Sequence, residues 1–202
     1  MQKKSILFSE TGQFSKIITD YLNNENALTP FYSWKQDINE FDAIIPGKAA
    51  EQIDRKLLTT VLKQQYNGLA DNDLVNTNIR LLQEENTFCV VTAHQLNIFG
   101  GPLYIVYKTL SVIKLCSTLS EKYPNKKFIP MFWLGSEDHD FEEINHVKVF
   151  GKSYTWNDTQ SGATGQFDTA GITSLCNELF TAFGSGPHAD ELKKIFTDAY
   201  LS

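Results

Sequence analysis

Two short stretches gather the residue types that chemistry needs. Thr92-Ala93-His94-Gln95 is followed closely by Gly100-Gly101, and a helical pattern opens behind the glycine pair. Backbone N–H groups at a helix start favour an anion such as phosphate or carboxylate. His94 adds a hydrogen bond or a positive charge there. The plain alternative is that His94 and Gln95 only bond their own loop, and spacing alone does not decide between the two. Neither GxGxxG nor a Walker pattern is present.

The second stretch is Ser136-Glu137-Asp138-His139-Asp140 with Glu142-Glu143 behind it. It packs five carboxylates and one histidine into eight residues. Hard oxygen ligands suit Mg²⁺, which usually arrives with nucleotide phosphates. A carboxylate cage also attracts an ammonium group. The structural alternative is a solvated helix start, with Ser136 as cap and acids complementing the dipole. Glu142 and Glu143 fit that alternative better than Asp138 and His139, which lie nearest a strand end. His146, after Asn145 and ahead of a strand, reads as structural. Lys108 reads as reaching solvent, and His188 beside a Gly-Pro turn carries no signal.

The elements that hold these stretches follow from pattern. Phe88-Cys89-Val90-Val91 is a short apolar strand of the kind covered on both faces. Pro102 suits a first helical position. Leu103, Val106, Tyr107, Leu110 and Ile113 make one apolar stripe, and Ile105, Val112, Cys116 and Leu119 another. A helix apolar over that much of its girth is expected to be buried against a sheet. Phe128 to Leu134 is the next strand, with Pro130 near its start or at a gap in pairing. Strand, helix, strand forms a βαβ unit, whose two polar loops open at the carboxyl ends of neighbouring parallel strands.

The flanks are helical. Phe14, Ile17, Ile18 and Tyr21 share a face, and an aromatic turn follows at 28–34. Pro46-Gly47 is expected to open a helix from Lys48 to about Tyr66, with Ile53, Leu57, Leu58, Val61 and Leu62 as its stripe and Glu51–Arg55 as an i,i+4 pair. Asp71 or Asn72 is expected to cap the next helix, through Val75, Ile79 and Leu82. Past the central region comes a glycine-bearing loop, SGATGQFDTAGI. An amphipathic helix through Leu175, Leu179 and Phe183 follows, then a last one carrying Leu192, Ile195 and Phe196. The expected fold class is α/β. Residues 1–85 form a helical leader packing on the core, and 86–202 form the core.

Composition sets outer limits. The chain has 202 residues, 42% hydrophobic and 21% charged, with net charge −6. That is one sizeable domain or slightly more, and it argues against a nucleic-acid partner, which usually meets a basic face. Cys89, Cys116 and Cys176 are widely spaced in apolar runs, as buried thiols of a reducing compartment would be. No signal peptide and no run near the roughly 20 apolar residues of a membrane span are seen. These features point to a soluble cytoplasmic protein. A small sheet with only three or four candidate strands, and a final helix with nothing after it, read as the front part of a longer protein.

VVTAHQLNIFGGPLYIVYK followed by PMFWLGSEDHDFEEINHV resembles the bacillithiol biosynthesis cysteine-adding enzymes, the BshC family. Thr92, Gln95, Phe99, Gly101-Pro102-Leu103-Tyr104, Phe132-Trp133, Glu137-Asp138-His139-Asp140, Glu143 and Asn145-His146 all match the family pattern. FYSW and GATGQFDTAGI match more loosely. Ala93-His94 departs from the expected Gly-Gln, so no family role passes to His94. The resemblance implies a Rossmann-like core of nucleotidyltransferase type, a parallel sheet with flanking helices, incomplete here at the C-terminus. It implies a homodimer formed by a coiled coil in longer members, and a ligase joining L-cysteine to the amine of glucosaminyl-malate.

Forming that amide from a free carboxylate needs an activated acyl group, so ATP with Mg²⁺ is chemically expected. In this frame Gln95, Asp138 and His139 form the catalytic set. Thr92, His94, Gly100, Gly101, Glu137, Asp140 and His146 bind substrate or phosphate, and no metal ligand is assigned. Two other functions remain open: a nucleotidyltransferase-like enzyme on another amino sugar or thiol, or a non-catalytic binding domain.

Overall fold

A computed structural model describes residues 4–69 and 73–201. The chain divides into two compact units, 1–72 and 73–202. In the first lie α1 (Phe8–Thr11), α2 (Lys16–Leu22), α3 (Phe41–Ala49) and α4 (Arg55–Gln65). Pro46-Gly47 does not open a helix: both sit inside α3, and a non-helical stretch separates α3 from α4. The start signal lies instead at Asp54, whose side chain accepts from the Leu57 amide at 2.8 Å. That bond satisfies an N–H that would otherwise be orphaned. Glu51 lies before α4 and pairs with Lys48 at 2.8 Å rather than bracing a helix with Arg55. Of the expected stripe, Leu58 and Leu62 turn inward beside buried Thr59, while Ile53, Leu57 and Val61 are exposed. The cap expected at Asp71 or Asn72 lies outside the described residues.

The second unit begins with α5 (Asp73–Leu81), which the sequence reading had placed in the leader. Then come β1 (Thr87–Gln95), α6 (Leu103–Lys122) and β2 (Lys127–Gly135). β1 and β2 pair in parallel from Thr87↔Lys127 to Gln95↔Gly135. This is the expected βαβ unit, and both strands end level. β1 is longer than expected, so Thr92, Ala93, His94 and Gln95 belong to the strand and not to a loop past it. Pro130 lies within β2 opposite Val90, tolerable because β2 pairs on one side only among the described residues.

Two burial expectations fail for one reason. α6 packs on the strands through one stripe only, with Cys116 and Leu119 buried. The other stripe stays open, with Leu110 55% and Ile113 48% exposed. An open, mostly apolar groove of about 500 Å³ runs along it between Tyr107, Leu110, Lys114 and Thr118. On β1 the alternation leaves Cys89 and Val91 exposed, so Cys89 is not the buried thiol expected. Helix and strand each have two faces, and the described residues cover only one of them. Cys116 and Cys176 are buried as expected, and burial pushes the Cys116 thiol up to about 11.

Beyond β2 lie α7 (Phe141–Ile144), β3 (His146–Val149), β4 (Lys152–Thr155), α8 (Thr173–Phe183) and α9 (Pro187–Tyr200). β3 does not extend the parallel sheet. It forms an antiparallel hairpin with β4, reversed at Phe150-Gly151, both at positive φ. The main core gathers here: Ile98, Phe99, Tyr154, Trp156, Ile172, Leu175, Cys176 and Leu179. α9 is not left without a partner. It packs on α8, and its Phe196 and Tyr200 rings meet Phe99 at 5.1 and 5.2 Å.

Candidate functional site

The level ends of β1 and β2 bring the two polar stretches together. Gln95 stands opposite Gly135, one residue before Ser136. Its side-chain amide donates to Glu143 Oε2 at 2.9 Å, and its polarity adds a small stabilisation to the nearby Asp138 carboxylate. Gln95 therefore bridges the first stretch to the acidic loop. Glu143, expected to be a merely solvated acid, is a partner in that bridge.

The acidic loop is shaped by its own backbone. Asp138 Oδ1 accepts from the Asp140 amide at 2.8 Å. That bond first, then the His139 amide, the nearby His139 ring and the Gln95 side chain, hold the Asp138 carboxyl below the ordinary carboxylate range. Ser136 is not the helix cap. Asp140 caps α7 instead, its Oδ1 accepting from the Glu143 amide at 3.2 Å. Ser136, Glu137, His139 and Glu142 are exposed. Among the described residues no group of three or more His, Cys, Asp or Glu is placed to hold a metal ion.

A third segment clamps this loop from outside. The Thr164 amide donates to the Asp138 carbonyl at 2.8 Å, and the Gly165 amide to the Ser136 carbonyl at 2.9 Å. A Cβ on Gly165 would lie 2.6 Å from Ser136 Cβ, so the approach demands glycine. The glycine-bearing loop at 161–172 was visible in the sequence, but its target was not.

On the other side lies the turn into α6. Phe99, Gly100 and Gly101 all have positive φ, at 53°, 83° and 66°. Gly101 also needs its missing side chain, since a Cβ there would sit 2.7 Å from Asn97 Cβ and from Ile105 Cδ1. Pro102 occupies the N-cap of α6, one residue before the expected position, and no side chain caps that N-terminus. The start of the 20-residue helix therefore keeps backbone donors for a ligand.

His94 stays on this side, bonded to the turn and to the first turn of α6. Its Nε2 lies 2.5 Å from the Tyr104 hydroxyl, and its Nδ1 lies 3.0 Å from the Asn97 amide nitrogen and 3.1 Å from the Gln95 carbonyl. Without a proton Nδ1 accepts from Asn97; carrying one, in the neutral Nδ1–H tautomer or in the cation, it donates to Gln95 O. Thr92 is half-buried in β1 opposite Phe132. Lys108 does not point to solvent as expected: its ammonium donates to the Ala93 carbonyl at 2.5 Å. It is half-buried and fastens α6 to the end of β1.

His146 is exposed at the start of β3, its ring bonded to Asn145 Oδ1 at 3.2 Å. The structure ties it to the hairpin. Tyr104, Asn97, Lys108, Thr164 and Tyr200 were missed as site-building residues. Tyr104 had a signal, one helical position beyond Pro102-Leu103 in the matched motif, and Thr164 a weaker one within GATGQFDTAGI.

A parallel βαβ unit, with a glycine turn into its helix and a polar loop beside it at the carboxyl edge, defines a Rossmann-like ligand-binding domain. Residues 1–202 match the family described as bacillithiol biosynthesis BshC, N-terminal Rossmann-like domain. The chain belongs to that family.

It is 39% identical, over all of its length, to "Putative cysteine ligase BshC" of Flavobacterium psychrophilum, covering 38% of that protein. The like-named protein of Cytophaga hutchinsonii is 42% identical over 87% of the chain and 34% of its own length. That of Chloroherpeton thalassium is 33% identical over 98% of the chain and 38% of its own length. The chain thus spans little more than a third of the relatives it matches. No described helix is long and apolar enough to cross a membrane.

Proposed function

We propose that this chain is the substrate-activating domain of a ligase that joins cysteine to the amine of glucosaminyl-malate in bacillithiol biosynthesis. The family match and the relatives' printed name, cysteine ligase, support the reaction class. The observation that carries the residue roles is the Gln95–Glu143 bond, which ties the end of β1 to the acidic loop that holds Asp138, whose carboxyl lies below the ordinary range.

The chemistry follows from charge. The turn at Phe99–Gly101 and the uncapped start of α6 suit an anionic group, the phosphate of an activated cysteine or a substrate carboxylate. Thr92, His94, Gly100 and Gly101 line that side. Asp138 is held anionic, which suits it to attract the ammonium form of the incoming amine rather than to donate a proton. The amine nitrogen forms the C–N bond to the cysteine carbonyl as the activating group leaves with its electron pair. The ammonium first gives one proton to His139 or to water so that the nitrogen lone pair can attack, and the second proton leaves to water once the C–N bond has formed. Glu137 and Asp140 add negative potential around the amine, and His146 stands further out on the hairpin.

ATP is the chemically natural activator, and nucleotidyltransferase-type use of the glycine turn is part of this proposal. Mg²⁺ would arrive with the ATP phosphates and screen their charge. The cytoplasm, a homodimer and completion of the active site by further parts of the polypeptide belong to the same proposal.

Mass spectrometry tests it, on a reaction of cysteine, glucosaminyl-malate and Mg-ATP with the longest gene product that carries this chain. The expected product is the cysteinyl amide. Asp138→Asn should lower its rate roughly 10²-fold or more, and Glu142→Gln should leave it within about twofold. ATP turnover without cysteine incorporation would move the reading to a nucleotidyltransferase-like enzyme on another amino sugar or thiol.

A further inference from the structure

We infer that Tyr200, on α9, is a positioning residue for the turn at Phe99–Gly101, and that its hydroxyl sets the geometry with which that turn meets an anion. The inference rests on the reading above that the turn takes an anionic group.

Phe99 is the observation that needs explaining. It is a bulky residue at φ 53° and ψ 32°, a left-handed conformation that side chains resist. Gly100 and Gly101 share the positive φ without steric cost. Such a residue persists only where its surroundings over-determine it, and here two contacts do so. Its ring is buried against Phe196 and Tyr200. Its amide donates to the Tyr200 hydroxyl at 3.0 Å, across 101 residues of sequence.

A backbone N–H inside the turn is thereby satisfied by a side chain from the far end of the unit. Without that acceptor, Phe99 is free to return to negative φ. The peptide planes of Gly100 and Gly101 would then rotate with it. Tyr200 touches no ligand in this scheme. It acts through the turn, so its loss should change affinity for the anion without removing any group that contacts it.

The test titrates isotope-labelled protein with inorganic phosphate and follows the Gly100 and Gly101 amides by NMR. Hydrogen exchange at Phe99 and at Leu179 is measured in parallel. Wild type should show saturable shifts at both glycines. Tyr200→Phe keeps the ring and removes the hydroxyl. It should bind phosphate roughly tenfold more weakly and exchange the Phe99 amide roughly tenfold faster, as expected for one buried N–H losing its partner.

Leu179 exchange should not change; a general loss of stability would speed it equally and overturn the positioning role. Tyr200→Leu, which loses the ring contact as well, should fall further than Tyr200→Phe. Wild-type affinity together with wild-type Phe99 exchange in Tyr200→Phe would also overturn the inference. If wild type shows no response to phosphate, the anion reading fails, and the exchange comparison still judges whether Tyr200 holds the turn. Should Tyr200→Phe not fold, wild type alone decides: a Phe99 amide exchanging as fast as an open loop refutes the hold.

Discussion

Replacing Gly165 with alanine adds one methyl group at the point where the clamp meets the acidic loop. The new Cβ would stand 2.6 Å from Ser136 Cβ, 2.8 Å from the Ser136 carbonyl oxygen and 3.3 Å from its Cα. Two of those three atoms are backbone, so no side-chain rotation relieves the clash. Carbon atoms rest about 3.5–4.0 Å apart, and the two segments must therefore separate by about 1 Å. That separation breaks the 2.9 Å bond from Gly165 N to Ser136 O and strains the 2.8 Å bond from Thr164 N to Asp138 O.

Overpacking of this kind costs about 1–3 kcal/mol, and the lost hydrogen bond about 0.5–1.5 kcal/mol. Gly165 does not have positive φ, so alanine returns about 0.4–1 kcal/mol through the unfolded chain. The net expectation is a loss of about 0.5–4 kcal/mol.

Urea unfolding with an unchanged m-value measures the total, and amide exchange at Thr164 and Gly165 locates it. Gly47→Ala is the control. It lies inside α3 with open space around it and no positive φ, so it should gain roughly 0.5–1 kcal/mol. A Gly165→Ala shift below about 0.5 kcal/mol, with both amides still protected, would refute the clamp.

Lys108→Met keeps the aliphatic stem but strips the Ala93 carbonyl of its charged donor; the bond is solvent-exposed, so urea titration should show a loss of only about 0.5–1.5 kcal/mol. Leu119→Ala, at a position with 0% exposure, should cost about 2–5 kcal/mol. Ile113→Lys on the open stripe of the same helix should stay within about 0.5 kcal/mol in the same assay. Gln95→Ala removes the smallest of the influences that depress Asp138. The folded carboxyl lies below its unfolded value, so its contribution is present at neutral pH and is lost as pH falls through the folded pKa. In Gln95→Ala that loss begins at higher pH, seen as a raised Asp138 titration by NMR and a raised acid-unfolding midpoint.

The βαβ unit was legible because its signals are local. An apolar run, a glycine pair, Pro102 and twenty residues of helical periodicity sit in one window, and the structure places β1, α6 and β2 there. Burial was less legible. The two apolar stripes of α6 say that both faces favour burial, yet they cannot say which face the described residues cover. The strand after the acidic loop is legible as a strand, while nothing local names its partner. β3 pairs with β4 because the turn at Phe150-Gly151 brings them together sooner than any return to the sheet. At Pro46-Gly47 a correct general rule lost to a stronger local bond, the Asp54 cap.

The position of Asp138 shows most clearly how local and distant determinants combine in the site. Its contact with the Asp140 amide spans two residues and is written into the Asp-His-Asp spacing. What holds the loop that carries it is not local. Gln95 reaches the loop across 48 residues, and Thr164 grips the Asp138 carbonyl from the opposite side. Each holds a different atom, so neither alone fixes the orientation of the carboxylate. The local bond keeps Asp138 charged; the two distant ones decide what that charge faces. Perturbing Gln95 should therefore move the titration of Asp138. Perturbing Gly165 should shift its position with a smaller effect on its titration, because the Asp140 amide stays bound through either change.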